Sequence, residues 1–390
     1  MTKIIMAAGA TGGHIMPAVA VALALKEQEP QLKVLFVGVG RKAEADILDP
    51  ILGPLGWERV TIKAGGVKGR GILGKIKGLL LTVMGFFSAI GVLKKFKPDA
   101  VFGAGGYAAG PVGLAAWALG VPLFIHEQNR TPGVTNKLLA SLAQIVFLGD
   151  PEGAKYFKAT KVRIVGNPVR QEILNVVRKA ESIFTLLVLG GSQGARGINE
   201  AALGLLDNLD KLKAPIKIIH QAGASGVTLL EEAYRKAKQE TGLDYELSAF
   251  FTDMARVYSL GDLALCRAGA LTLAELAAVG MASILVPLPT AADDHQSQNA
   301  LSFEKKGAAI VIPEKELTGE RLRVEIERLM EDGALLEEMG TKAGELKKTD
   351  AASSMASVIL EEIVKSTNAF GLELNPNGTL GEVVEKAERP

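Results

Sequence analysis

The chain contains four histidines, His14, His126, His220 and His295, the residue type best suited to moving a proton near neutral pH. His14 closes the loop Gly9-Ala10-Thr11-Gly12-Gly13-His14, directly after an apolar run. It therefore stands where a strand hands over to a helix and could take a proton from a hydroxyl. A plainer role, as a cap or hydrogen-bond partner, suits the same position. His126 and Glu127, in the run His126-Glu127-Gln128-Asn129, compete for the task of base. Their plainer role is to orient the loop that carries Asn129.

Two more loops have residue types that suit phosphate or sugar. Glycines let the backbone turn tightly and approach a ligand closely, and the free N–H groups of a following helix suit a diphosphate. Gly190-Gly191-Ser192-Gln193-Gly194-Ala195-Arg196 adds the hydroxyl of Ser192. Arg267-Ala268-Gly269-Ala270-Leu271-Thr272 is followed by Glu275. That carboxylate could accept hydrogen bonds from ribose or sugar hydroxyls, or simply offset the helix dipole. None of the loops is a Walker A motif, since no Gly-Lys-Ser/Thr follows, and no acidic residue is clearly placed for a dinucleotide ribose. Asp293-Asp294 lacks the setting of a metal-binding pair, and Cys266 is the only cysteine, so zinc spacing and intrachain disulfides are excluded.

The elements that must position these residues repeat one pattern: a short apolar strand, a glycine-rich turn, an Ala/Leu-rich helix. Strands are predicted at 4–8, 33–38, 100–102, 123–126, 145–148 and 162–165, and again at 184–189, 217–221, 245–250, 262–267, 283–287 and 308–312. Such alternation implies parallel strands joined by crossover helices. Length suggests two or three domains at about 150 residues each. We place one over 1–170 and one over 171–345, with the joint at Gly166-Asn167-Pro168-Val169-Arg170, where asparagine before proline favours a turn. Residues 350–366 read as a helix and 367–390 as a flexible tail. Ligands of such sheets bind at the carboxyl ends of the strands.

Of the 390 residues, 48% are apolar and 22% charged, and the formal net charge is +1. That balance argues against a general nucleic-acid binder. Residues 60–98 contain no acidic residue but hold Lys63, Lys68, Arg70, Lys75, Lys77, Lys94, Lys95 and Lys97. They enclose an apolar run over 79–93, shorter than the roughly 20 residues that span a bilayer. Basic residues flanking exposed apolar side chains favour an anionic membrane surface; a buried helix with a solvated flank is the plainer alternative. The glycines at 65, 66, 69, 71 and 74 predict a mobile loop ahead of that helix.

The ordered set ATGGHIMPAVAVA, FGAGGYAAGPVGLAA, HEQNRTPGVTNKLLA, GNPVR, LGGSQGARGINE, CRAGALTLAELAAVG and DHQSQNA resembles the MurG family of bacterial glycosyltransferases. The resemblance extends over about residues 4–312. It implies the α/β GT-B architecture: two Rossmann-like domains facing across a cleft, with a C-terminal helix returning to the first. It also implies inverting transfer of N-acetylglucosamine from UDP-N-acetylglucosamine (UDP-GlcNAc) to the muramoyl 4-hydroxyl of lipid I, without a cofactor, at the cytoplasmic face of the cell membrane.

Carried over by motif, Thr11, Gly12 and Gly13 match residues near the diphosphate and sugar, and Asn129 a residue near the donor sugar. Arg170 and Ser192 match diphosphate contacts, and Phe251 a backbone contact to uracil. The stretch Ala270, Leu271, Thr272, Leu273, Ala274 and Glu275 matches the nucleotide cradle, with Glu275 on the ribose. Gln296 matches a glutamine that reaches the sugar, with Asn299 beside it. His14 and Glu127 are the catalytic candidates. Gly103, Gly105, Gly106 and Tyr107 are expected at the acceptor diphosphate, and Lys68, Arg70, Lys75, Lys77, Lys94 and Lys95 at the membrane. Two departures stand out: Ala10 where the family has glycine, and Ala268 where it has serine. The implied partners are UDP-GlcNAc, the polyprenyl-linked acceptor, an anionic membrane surface and other cell-wall synthesis proteins. Three alternatives stay open: a lipid galactosyltransferase acting on diacylglycerol, a non-catalytic scaffold for envelope proteins, and an NAD-linked oxidoreductase.

Overall fold

The computed structural model of the chain describes residues 1–9, 12–64, 72–178, 182–191, 193–291 and 294–369. Two parallel sheets organise them. The first has seven strands: β1 (Lys3–Ala7), β2 (Lys33–Gly38), β3 (Glu58–Thr61), β4 (Ala100–Gly103), β5 (Leu123–Glu127), β6 (Ile145–Leu148) and β7 (Val162–Ile164), in the order β3-β2-β1-β4-β5-β6-β7. The second has six: β8 (Phe184–Leu189), β9 (Ile216–Gln221), β10 (Asp244–Ser248), β11 (Leu263–Cys266), β12 (Ala282–Leu285) and β13 (Ala309–Val311), in the order β10-β9-β8-β11-β12-β13. Most of the strands are short runs rich in Val, Ile and Leu with both faces buried, as crossover helices on both sides require. Each sheet has a core on either face. The short strand β3, sequence ERVT, was not among the predicted strands, because only Val60 and Thr61 are β-branched.

In each sheet the strand order reverses once, between β1 and β4 and between β8 and β11. Loops leaving the two strands at such a point diverge to opposite faces and leave a crevice. In the first sheet these are the loops to α1 (Gly12–Gln28) and α4 (Gly106–Ala118); in the second, those to α7 (Arg196–Leu206) and α10 (Ala270–Val279). The glycine loops that carry His14, Gly105, Gly190 and Gly269 leave at these two points.

Between β3 and β4 runs α3 (Ile72–Phe96), which begins early enough to include Gly74, one of the glycines assigned to a loop. The rest of that loop, 65–71, lies outside the described residues. The last helix, α14 (Ala351–Ala369), crosses back to α1 of the first domain. Met355, Ala356 and Ile359 enter the first core, and Gln28 Nε2 donates to the Ser353 carbonyl at 3.1 Å. This helix runs three residues past the predicted end at 366, and residues 370–390 lie outside the described set.

Candidate active site

A cavity of about 480 Å³ opens between the two sheets, within the range of ligand pockets. The first domain contributes Gly12, Gly13, His14, Gln128 and Asn129. The second contributes Gly190, Gly191, Phe251, Ala270, Leu271, Thr272, Glu275 and Gln296, with Arg170 at the joint. Eleven of these belong to the set carried over from sequence. Thr11 and Ser192, also in that set, lie outside the described residues, as does Ala10.

His14 is half-buried in the first turn of α1, and its Nδ1 lies 3.0 Å from the Ala104 carbonyl oxygen. A carbonyl only accepts, so Nδ1 carries the proton and donates, and Nε2 keeps its lone pair. Burial lowers the imidazole pKa below its ordinary 6.5, against the opposing pull of Glu127. The ring is thus neutral at pH 7 and competent to accept a proton. Its support is a pair of glycines: Gly105 at φ +94 and Gly106 at φ +76. A Cβ on Gly105 would stand 2.9 Å from His14 Nδ1, and one on Gly106 2.3 Å from the Gly9 carbonyl oxygen.

Glu127 is buried and is not among the cavity's lining residues. Its Oε1 accepts from the Asn129 backbone N–H at 3.0 Å and from Asn129 Nδ2 at 3.2 Å. Its Oε2 accepts from the Gly133 N–H at 3.0 Å and from Asn136 Nδ2 at 2.8 Å. Four donors on one carboxylate fold the loop after β5 and hold Asn129 toward the cavity. His126 is fully buried, and burial takes its pKa down to about 3, so it stays neutral.

On the second domain, α10 begins at Gly269 without a side-chain cap, whereas the outer helix α12 (Gly319–Glu331) is capped by Thr318. The first-turn N–H groups of α10 are left for an anion. Helix geometry narrows the stretch from Ala270 to Glu275. At about 100° per residue, Leu271, Thr272 and Glu275 share the cavity side, while Leu273 and Ala274 turn into the core. Ala268 is also core, and its carbonyl accepts from Asn299 Nδ2 at 3.1 Å. Glu275 accepts from the Tyr258 hydroxyl at 2.9 Å. Burial raises its carboxyl above the ordinary range, while Arg170 and the Tyr258 bond pull it down.

Arg170 is 8% exposed, pairs with Glu172 at 2.5 Å through Nη1, and has a buried Nε with no partner among the described residues. The Phe251 N–H is taken by Gln221 Oε1 at 2.9 Å, so its carbonyl is the backbone group that remains. Gln296 is oriented by the Leu288 N–H, which donates to its Oε1 at 3.0 Å; its Nε2 has no hydrogen-bond partner among the described residues. Gln221 and Tyr258, which also line the cavity, are not among the residues that the motifs single out, whereas Arg267 opens one of the singled-out loops. Gln221 left one trace, a polar residue at the carboxyl end of an apolar strand. Tyr258 sits in a helix remote from any glycine loop and left none.

The four acceptor candidates do not line this cavity. Gly103 ends β4, and Gly105, Gly106 and Tyr107 open α4 beside His14, with the Arg41 guanidinium 5.4 Å from the Tyr107 ring. Of the basic membrane set, Lys94 and Lys95 are exposed at the end of α3. Lys68 and Arg70 lie outside the described residues, and of Lys75 and Lys77 only the backbone is described. Among the described residues no helix is long and apolar enough to cross a membrane, and no cluster of potential metal ligands occurs.

The chain matches the glycosyltransferase family 28 N-terminal domain over residues 4–148 and the corresponding C-terminal domain over 185–355. Fold and cleft together define a GT-B glycosyltransferase with two Rossmann-like domains. The chain is 39% identical over 379 residues to the UDP-N-acetylglucosamine–N-acetylmuramyl-(pentapeptide) pyrophosphoryl-undecaprenol N-acetylglucosamine transferase of Myxococcus xanthus, covering 96% of this chain and 97% of that one. It is 42% identical over 371 residues to the transferase of the same name from Geobacter sulfurreducens, covering 94% and 99%. The crystal structure of Acinetobacter baumannii MurG superimposes with a TM-score of 0.69 at 34% identity, covering 93% of this chain and all of that one. The chain belongs to the MurG family.

Proposed function

We propose that the protein transfers N-acetylglucosamine from UDP-GlcNAc to the 4-hydroxyl of the muramoyl sugar of lipid I, giving lipid II with inversion at the anomeric carbon. The observation that carries this reading is His14 in the cavity wall, its Nδ1 donating to the Ala104 carbonyl, in the same cavity as Arg170, Thr272 and Glu275 of the facing half. In the reaction His14 Nε2 takes the proton of the acceptor hydroxyl. The hydroxyl oxygen bonds to the sugar C1 as the C1–O bond to UDP breaks, and UDP leaves with the electron pair. The α10 N-terminus, Ser192 and Arg170 hold the charge of the departing diphosphate. Glu275 accepts from the ribose, the Phe251 carbonyl from the uracil N–H, and Asn129 and Gln296 fix the sugar. Glu127 acts through Asn129 as a positioning residue.

Residues 1–170 with α14 form the acceptor half, 171–345 the donor half. Gly105, Gly106 and Tyr107, beside His14, suit the acceptor diphosphate. The face of α3 that carries Leu80, Val83, Met84 and Phe87, all exposed, suits the cytoplasmic surface of an anionic membrane, with Lys94 and Lys95 at its end. A donor screen tests the whole reading. Radiolabelled UDP-GlcNAc with a lipid I analogue is expected to give labelled disaccharide product, and UDP-galactose with diacylglycerol none. Transfer from UDP-galactose alone would sink it.

A further inference from the structure

The cavity wall holds a tyrosine to which the reaction above gives no task. Tyr258 lies in α9 (Met254–Leu260), is 1% exposed, and borders the cavity beside Glu275. Its hydroxyl donates to Glu275 Oε2 at 2.9 Å, tying α9 to α10, whose buried residues share one core with it. A carboxylate in the second turn of a helix, as Glu275 is in α10, can swing among rotamers. Here one oxygen is fixed by a donor that belongs to a different, well-packed element.

We propose that Tyr258 is the positioning residue for the donor ribose: by holding Glu275 Oε2 it leaves Oε1 set to accept from the ribose hydroxyls. The assignment rests on the donor-site reading given above and extends it to the selectivity for ribose over deoxyribose. A fixed acceptor rewards a correctly placed hydroxyl and loses that bond when the hydroxyl is missing.

The surroundings of Glu275 add a pH dependence. Burial pushes its carboxyl up, Arg170 and the Tyr258 hydroxyl pull it down, and Glu172 at the surface pushes it up again. Tyr258 itself keeps its proton, since burial and Glu275 raise its ionisation well above 10. Cys266 is neutral too, pushed up to about 12 by burial. Removing the Tyr258 hydroxyl takes away one of the two restraints, so Glu275 then protonates at a higher pH. UDP binding, which uses the ionised carboxylate, fails at a correspondingly higher pH as acid is added.

Calorimetric binding of UDP and 2′-deoxyuridine diphosphate to the full chain between pH 5.5 and 8.5 tests this. The set is wild type, Tyr258→Phe, Glu275→Gln and the double variant. Wild type is expected to prefer UDP by about tenfold or more, the scale of a hydrogen bond to a charged group. Tyr258→Phe is expected to weaken UDP severalfold to about tenfold, to leave the deoxy nucleotide nearly unchanged, and to move the acid limb upward. On the Glu275→Gln background the Phe substitution should then have no further effect. An unchanged UDP preference and acid limb in Tyr258→Phe would overturn the proposal, as would equal weakening of both nucleotides or an additive loss in the double variant. Failure of the wild type to bind UDP at millimolar concentration overturns the donor-site reading itself, and is seen before any variant is compared.

Discussion

His14 can act as a base only while its Nε2 is free of a proton. Burial lowers its pKa below 6.5, so the proposed base stays unprotonated down through that pH and is lost only as acid carries the solution below the lowered value. The predicted profile of kcat at saturating UDP-GlcNAc is therefore flat from about pH 7 downward past the ordinary histidine range, then falls. His14→Ala should reduce kcat by about 10²- to 10⁴-fold, leave UDP affinity intact and remove the acid limb of kcat at saturating donor; near-wild-type turnover would assign the base elsewhere. At this scale much of the cavity lining is legible, because Asn129, Arg170, Thr272, Glu275 and Gln296 stand in motifs that the sequence displays. Glu127 is a different case. Its type suits a base, but its four donors are set by the fold of residues 127–136, and no spacing in the sequence reveals that all of them converge on one carboxylate. Tyr258 is invisible for the same reason, and Gln221 shows only as a polar residue at a strand end, since each reaches the cavity from an element whose neighbours are chosen by sheet order.

At the scale of elements, the strand–glycine–helix rhythm predicted both sheets, and the parallel pairing follows from the crossovers. Boundaries were less legible. Gly74 belongs to a helix because its neighbours are strong helix and core formers, and β3 escaped because four residues carry little pattern. The helical character of 350–366 was readable, but its destination came from the family resemblance, as a buried stripe on a helix does not name the surface it meets. The interface gives a direct expectation. Ile359 is fully buried in the core that includes Ala18, Ala22 and Leu25 of α1. Ile359→Ala should cost about 2–5 kcal/mol in chemical denaturation followed by a probe in the first domain. If α14 contributes only a loosely attached tail, the loss will stay within about 0.5 kcal/mol, the range of surface substitutions.

For the whole molecule, the proposed reaction sets the nucleotide of a soluble donor against an acceptor carried by a lipid, and so puts the first domain at a bilayer surface. Helix α3 has the length for it, roughly 37 Å at 1.5 Å per residue. Leu80, Val83, Met84 and Phe87 recur at i, i+3, i+4 and i+7, so they share one side, with Phe87 66% exposed. The neighbouring α4 adds Leu114 and Trp117, the latter 58% exposed. Apolar side chains left in water along one helix have a reason to enter an interface, and Lys94 and Lys95 supply attraction to anionic headgroups. Each lysine near such a surface is worth about 1 kcal/mol, so Lys94→Gln with Lys95→Gln should weaken partition onto phosphatidylglycerol-containing vesicles by about thirtyfold, using about 1.4 kcal/mol per tenfold. The effect should shrink with salt, since exposed charges are screened within about 10 Å at 0.1 M. Phe87→Ser with Trp117→Ser should weaken binding at all salt concentrations, because that contribution is not ionic. Turnover on a water-soluble acceptor analogue should be unchanged in both pairs. Flotation with equal recovery of wild type and both variants would place the lipid-facing surface on another part of the molecule, and the side of α4 at Tyr107 would be the next face to substitute.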